Sequence, residues 1–120
     1  MSFVNGTLAK LPTMSPEELN ALDFGVVKVD DTGTVEFYNT YESQLAGVAP
    51  EAARGRNFFT QVAPCSNSRL FYGRFKQGIA RGDLAAEFVY TFTYKMRPTL
   101  VRVIMHKDDG GSNWVLIKKR

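Results

Sequence analysis

The chain has 120 residues, 44% hydrophobic and 22% charged, which is the size and composition of one globular domain that needs no disulfide or metal staple. A net charge of +3 without a clustered basic patch argues against a nucleic-acid partner, and no stretch approaches the ~20 apolar residues of a membrane span. The N-terminus shows neither a basic region nor a long apolar run, so no secretory signal is read; with a single cysteine, the expected compartment is a reducing cytoplasm.

Residues 1–14 form a weakly patterned lead-in. Ser15-Pro16-Glu17-Glu18 is a helix start, with serine as N-cap, proline at the first helical position and glutamate placed for a capping box. Phe24 to Val29 and Thr34 to Tyr38 read as two strands of a hairpin, joined by the turn Asp30-Asp31-Thr32-Gly33. Asn39 is placed to cap a short helix that Gly47 ends, and Pro50 starts another single turn. A longer helix is predicted from Asn67 or Ser68 to Arg81, stopped by Gly82 and burying Phe71, Phe75 and Ile79. Alternation then predicts strands over 87–94 and 99–106, a turn at Asp108-Asp109-Gly110-Gly111 and a last strand from Trp114 to Ile117. Lys118-Lys119-Arg120 reads as a solvated end. Two strands before the helices and three after them indicate an α+β fold, with one antiparallel sheet and the helices on one face.

Cys65 is either a small buried apolar residue or a thiol that does chemistry, since one cysteine makes neither an internal disulfide nor a multi-cysteine metal site. A cysteine enzyme would need a base, and the sole candidate histidine, His106, sits near a strand end with no spacing that places it beside Cys65. There is no metal-ligand spacing, and no phosphate-binding glycine motif. Tyr38 and Glu42 can point to one side, because one ends a strand and the other lies in the first turn of the following helix. They read either as an edge tyrosine and a solvated glutamate, or as a phenol and a carboxylic acid converging on one polar atom in an apolar pocket. Burial would keep such a carboxyl protonated. Phe58, Phe59, Phe92, Tyr94 and Met96 are candidate pocket walls or simply core.

Several short segments recur in order with a known family: Gly55-Arg56-Asn57-Phe58-Phe59 with Val62-Ala63-Pro64-Cys65, Phe71-Tyr72-Gly73-Arg74-Phe75-Lys76, Tyr90-Thr91-Phe92-Thr93-Tyr94-Lys95-Met96 with Pro98-Thr99, and Trp114-Val115 with Lys118-Lys119-Arg120. On these the chain resembles the photoactive yellow protein family (xanthopsins), blue-light receptors built on the PAS fold. The resemblance implies a five- to six-stranded antiparallel sheet in one domain over residues 1–120, with an N-terminal cap at 1–23 and a PAS core at 24–120. It implies a p-coumaric acid (4-hydroxycinnamic acid) chromophore joined through a thioester to Cys65, its phenolate hydrogen-bonded by Tyr38 and Glu42. Ala46, Val48, Phe58, Ala63, Pro64, Phe92, Tyr94 and Met96 would line the site. It further implies trans–cis photoisomerisation, proton transfer from Glu42, partial unfolding to a signalling state, and no enzymatic activity. The expected partners are the small-molecule chromophore and a downstream signalling protein that the sequence does not name; the chain is expected to be a monomer. The alternative is a PAS-type ligand-binding, fluorogen-binding or protein-interaction module without a covalent chromophore. Two positions depart from the family pattern: Ala46 stands where a threonine usually bonds the tyrosine hydroxyl, and Val48 where an arginine usually screens the chromophore. Absorption and recovery are therefore expected to differ from those of better-known members.

Overall fold

The hairpin at the start of the sheet forms as the turn residues require. A computed structural model, which describes residues 7–93 and 97–120, places strand β1 at Gly25–Val29 and β2 at Val35–Tyr38. Asp30 Oδ1 accepts from the Thr32 and Thr34 amides, and Gly33 adopts a φ of 93°, a left-handed value that strains any other residue. Three further strands follow late in the chain: β3 (Ala85–Phe92), β4 (Thr99–Lys107) and β5 (Asn113–Lys119). All pair antiparallel in the order β2-β1-β5-β4-β3, so the N-terminal hairpin joins the C-terminal meander through β1 and β5.

Alternation along the central strands divides the sheet into two apolar faces. Val27, Val29, Val101, Val103, Met105, Val115 and Ile117 turn inward, under the chain between β2 and β3. Val26, Ile104, Trp114 and Leu116 turn to the other face. The lead-in covers that second face: a 3₁₀ helix (Thr7–Thr13) and helix α1 (Pro16–Asn20) bury Leu11 and Leu19 against it. The expected capping box is present, with Ser15 Oγ accepting from the Glu18 amide and Glu18 Oε1 from the Ser15 amide. His106 pairs with Ala85 and Trp114 in the alternation of Ile104, so it lies on the lead-in side of the sheet. Cys65 packs against the opposite face. The pairing a cysteine enzyme would need is therefore not formed.

The inner face is covered by α2 (Thr40–Ala46), α3 (Pro50–Ala53), and a run of irregular turns ending in α4 (Arg74–Arg81). Gly47 and Gly82 terminate α2 and α4 in the left-handed region, as expected. The predicted long helix differs. Residues Arg69–Gly73 form a wider π turn, in which the Gly73 amide reaches back five residues to Ser68 O, and only Arg74–Arg81 is α-helical. The Ser68 hydroxyl, expected as a cap, makes no capping bond and meets Tyr90 instead. The widened turn still delivers Phe71 and Phe75 to the core, while Ile79 is half-buried against it. β3 begins two residues earlier than expected and ends at Phe92. Tyr94 and Met96 lie outside the described residues.

Asn39 ties these layers together. Its Oδ1 accepts from the Val26 and Glu42 amides, and its Nδ2 donates to Leu19 O and Phe24 O, at 2.9–3.1 Å. One fully buried side chain thus serves the start of α2, strand β1 and the end of α1. Asn39→Ala is expected to cost about 3 kcal/mol, because four backbone groups each lose one hydrogen bond in the interior. Urea unfolding of the two proteins measures this.

Candidate functional site

The site grows from the junction of β2 and α2. Tyr38 pairs with Val27 as the last residue of β2, and Asn39, extended at φ −85° and ψ 173°, turns the chain into α2 so that Glu42 falls in its first turn. Both side chains end in the interior: Tyr38 is 3% exposed and Glu42 is 0% exposed. Glu42 is therefore not solvated, and Tyr38, although it ends the edge strand β2, is not exposed. Gly25 explains how a carboxyl fits there. A Cβ at Gly25 would collide with the Glu42 carboxyl, so the strand offers bare backbone where the acid lies against it.

Among the described residues, the Tyr38 hydroxyl and both carboxyl oxygens of Glu42 are buried without a hydrogen-bond partner. Native interiors seldom leave three such atoms unanswered. Desolvation pushes the Glu42 carboxyl up to about 8, so it holds a proton at neutral pH. Desolvation, with the Glu42 charge adding to it, pushes the Tyr38 phenol far above its ordinary value, so it too remains a donor. Two neutral O–H donors thus stand in an apolar setting and suit a ligand carrying a negative oxygen.

Around them the aromatic core closes. Phe58 and Phe92 are buried and share Phe71 as neighbour, at ring separations of 6.1 and 6.2 Å. Asn57 sets Phe58 and Phe59 in place: its Oδ1 accepts from the Phe59 and Thr60 amides, and its Nδ2 donates to Thr32 O. A π turn over Phe58–Val62 leads to buried Ala63 and then to a 3₁₀ turn over Pro64–Ser66, on which Cys65 is half-buried with its thiol free. Ala46 is buried at the end of α2 and offers no side-chain acceptor to Tyr38. Val48 packs against the main core, where an arginine would have brought a charge. The hydroxyl of Tyr41 accepts from the Lys119 amide at 3.2 Å, which fastens α2 to the end of β5.

The PAS fold family matches residues 14–115. The photoactive yellow protein of Halochromatium salexigens is 46% identical over 112 residues, covering 91% of this chain and 88% of that protein. The photoactive yellow protein of Rhodothalassium salexigens is 42% identical over 107 residues, covering 88% and 86%. The crystal structure of the photoactive yellow protein domain from the sensor histidine kinase Ppr of Rhodospirillum centenum superposes with a TM-score of 0.87 at 39% identity, covering 92% of this chain and 97% of that one. The chain belongs to the photoactive yellow protein family. Its five-stranded antiparallel sheet is the PAS fold of that family.

Three features of this photoactive yellow protein family site escaped the sequence reading. Gly25 carried a signal, since a glycine inside a strand often marks a close approach. Asn39 was legible as a cap, but its bonds to Leu19 and Phe24 join residues 15–20 apart in the chain. Tyr90 was legible as a strand position and as the start of a family segment, but neither showed that its hydroxyl bonds the Cys65 carbonyl.

The Glu42 carboxyl leads to a pH dependence of stability. The folded group keeps its proton up to about 8, whereas its ordinary value is 4.5, so the folded state binds more protons between those values. The stabilisation is complete below the lower value and declines, by up to about 1.4 kcal/mol per pH unit, as pH rises toward the upper one. In ligand-free protein, the urea midpoint is expected to fall across that window, and Glu42→Gln is expected to flatten the fall. A pH series of unfolding curves measures both.

Proposed function

We propose that the chain is a blue-light photoreceptor that carries p-coumaric acid as a thioester on Cys65. The observation that carries this reading is the set of three buried, unanswered polar atoms on Tyr38 and Glu42. A phenolate oxygen would accept from both donors and complete their hydrogen bonding, and a buried anion needs such charge-assisted bonds. The free thiol of Cys65 faces the same inner core, and Phe58, Ala63, Pro64 and Phe92 would line the space between. The family's named members support the light-sensing assignment. The group would supply visible-light absorption and a trans–cis isomerisation.

The protein's part is to hold and move one proton. Glu42 would keep it at Oε in the dark and pass it after light to the phenolate oxygen it bonds, which would leave a carboxylate with no cation beside it among the described residues. An uncompensated buried charge costs several kcal/mol, a large share of a domain's ~5–15 kcal/mol stability. Asn39 passes that stress on: the oxygen that accepts the Glu42 amide also accepts the Val26 amide, and its amide nitrogen holds Leu19 and Phe24. The lead-in on the far face of the sheet is then the segment that loosens, and its release would present the signal to a downstream protein.

Reconstitution tests the attachment. Acylation of the Cys65 thiol by an activated p-coumaroyl donor, with loss of the leaving group and the thiol proton, should yield a yellow, bleachable protein with one added p-coumaroyl mass. Cys65→Ser should abolish colour and mass shift together. A colourless product from the unaltered chain would support a ligand-binding module without a covalent chromophore. Hydrogen exchange tests the output: light should reduce amide protection in residues 7–23, and equal exchange in dark and lit samples refutes that release.

A further inference from the structure

Tyr90 sits on the edge strand β3, its ring half-buried and edge-on to Phe71 at 5.2 Å and to Phe92 at 6.3 Å. Its hydroxyl donates to the Cys65 carbonyl at 2.6 Å, and Ser68 Oγ lies 2.8 Å from the same phenolic oxygen. A phenol has one proton and a carbonyl only accepts, so the Tyr90 proton goes to Cys65 and Ser68 donates to Tyr90. The other end of the same peptide unit is also held: the Ser66 amide donates to Ala63 O at 2.8 Å. The Cys65–Ser66 peptide plane is therefore fixed by a local turn at its N–H and by the sheet at its C=O. The carbonyl carbon of Cys65 is bonded to the Cα that carries the thiol, so a peptide held at both ends fixes the backbone from which Cβ–Sγ projects.

We propose that Tyr90, supported by Ser68, is a positioning residue for the attachment cysteine, and that its hydroxyl holds the backbone from which the Cys65 side chain projects in the dark state. A buried tyrosine hydroxyl needs some acceptor. Among the backbone carbonyls of the attachment turn, this one takes the peptide beside the thiol. Edge strand β3 and the site are thereby joined through one short bond. After each light cycle the protein must return that peptide to its dark orientation, and without the hydroxyl only the Ser66 amide's bond to Ala63 O defines it.

The inference rests on the light-receptor reading, and the test separates the two. In chromophore-free protein with ¹³C=O-labelled Cys65, the labelled amide band should move to higher wavenumber in Tyr90→Phe. In p-coumaroyl protein at equal occupancy by mass, dark recovery after a flash should slow about fivefold in Tyr90→Phe, as expected for losing one hydrogen bond from the recovered state. Ser68→Ala keeps the aromatic stack intact and should shift both readouts in the same direction by less; it carries the test if Tyr90→Phe does not fold. An unmoved band, or recovery as fast as or faster than that of the unaltered chain, overturns the proposal. An unaltered chain that takes up no chromophore overturns the light-receptor reading, whereas one that cycles normally alongside an identical Tyr90→Phe overturns only the role of Tyr90.

Discussion

A carboxyl taken wholly out of water, with no hydrogen-bond partner among the described residues, is the constraint around which this structure is arranged. Glu42 stays neutral because ionising it there would cost more than keeping the proton. Its neighbours accommodate it by absence: Gly25 withholds a side chain, Ala46 offers no acceptor, and Val48 brings no charge. Tyr38 shares the condition, a phenol in the core with its hydroxyl unanswered. Such an arrangement is poor for stability alone, since hydrophobic residues of similar volume would avoid the desolvation. It makes sense as a place prepared for a partner.

The same constraint gives the fold a direction of response. Asn39 joins the first turn of α2 to strand β1 and to the end of α1, so the acid and the lead-in share a hydrogen-bond hub although they lie on opposite faces of the sheet. The lead-in rests on a smaller apolar cluster than the helical side does, built around Leu11, Leu19, Phe24 and Trp114. A segment held by fewer buried contacts opens at lower free energy. In the proposed response, strain raised at Glu42 would thus reach the less strongly packed layer.

Local chemistry made much of the framework legible. The capping box at Ser15, the turn at Asp30 to Gly33, the cap at Asn39 and the glycine stops at 47 and 82 each depend on a few adjacent residues. Strand alternation likewise separated Val101, Val103 and Met105 from their outward neighbours. The long helix was misjudged because the periodicity of Phe71 and Phe75 holds across a π turn as well as an α turn, and the Ser68 hydroxyl had a competing partner on β3. A pattern of apolar spacing does not report which carbonyl an amide reaches.

For the site, residue types and their order were sufficient to single out Cys65, Tyr38 and Glu42 as a family pattern. Their burial, the raised acid, the cleared space at Gly25 and the bond from Tyr90 to the Cys65 carbonyl came only with the tertiary structure. The physical reason is range. Caps, turns and alternation are set by interactions within a few residues of one another, so the sequence displays them directly. Desolvation is a property of everything packed around a group, and the bonds from Asn39 to Val26, Phe24 and Leu19 and from Tyr90 to Cys65 span 13–25 positions of chain. The sequence alone thus determined which residue types stand in the family's order; the folded chain decided that Tyr38 and Glu42 are buried, keep their protons and find no hydrogen-bond partner for those side-chain oxygens among the described residues.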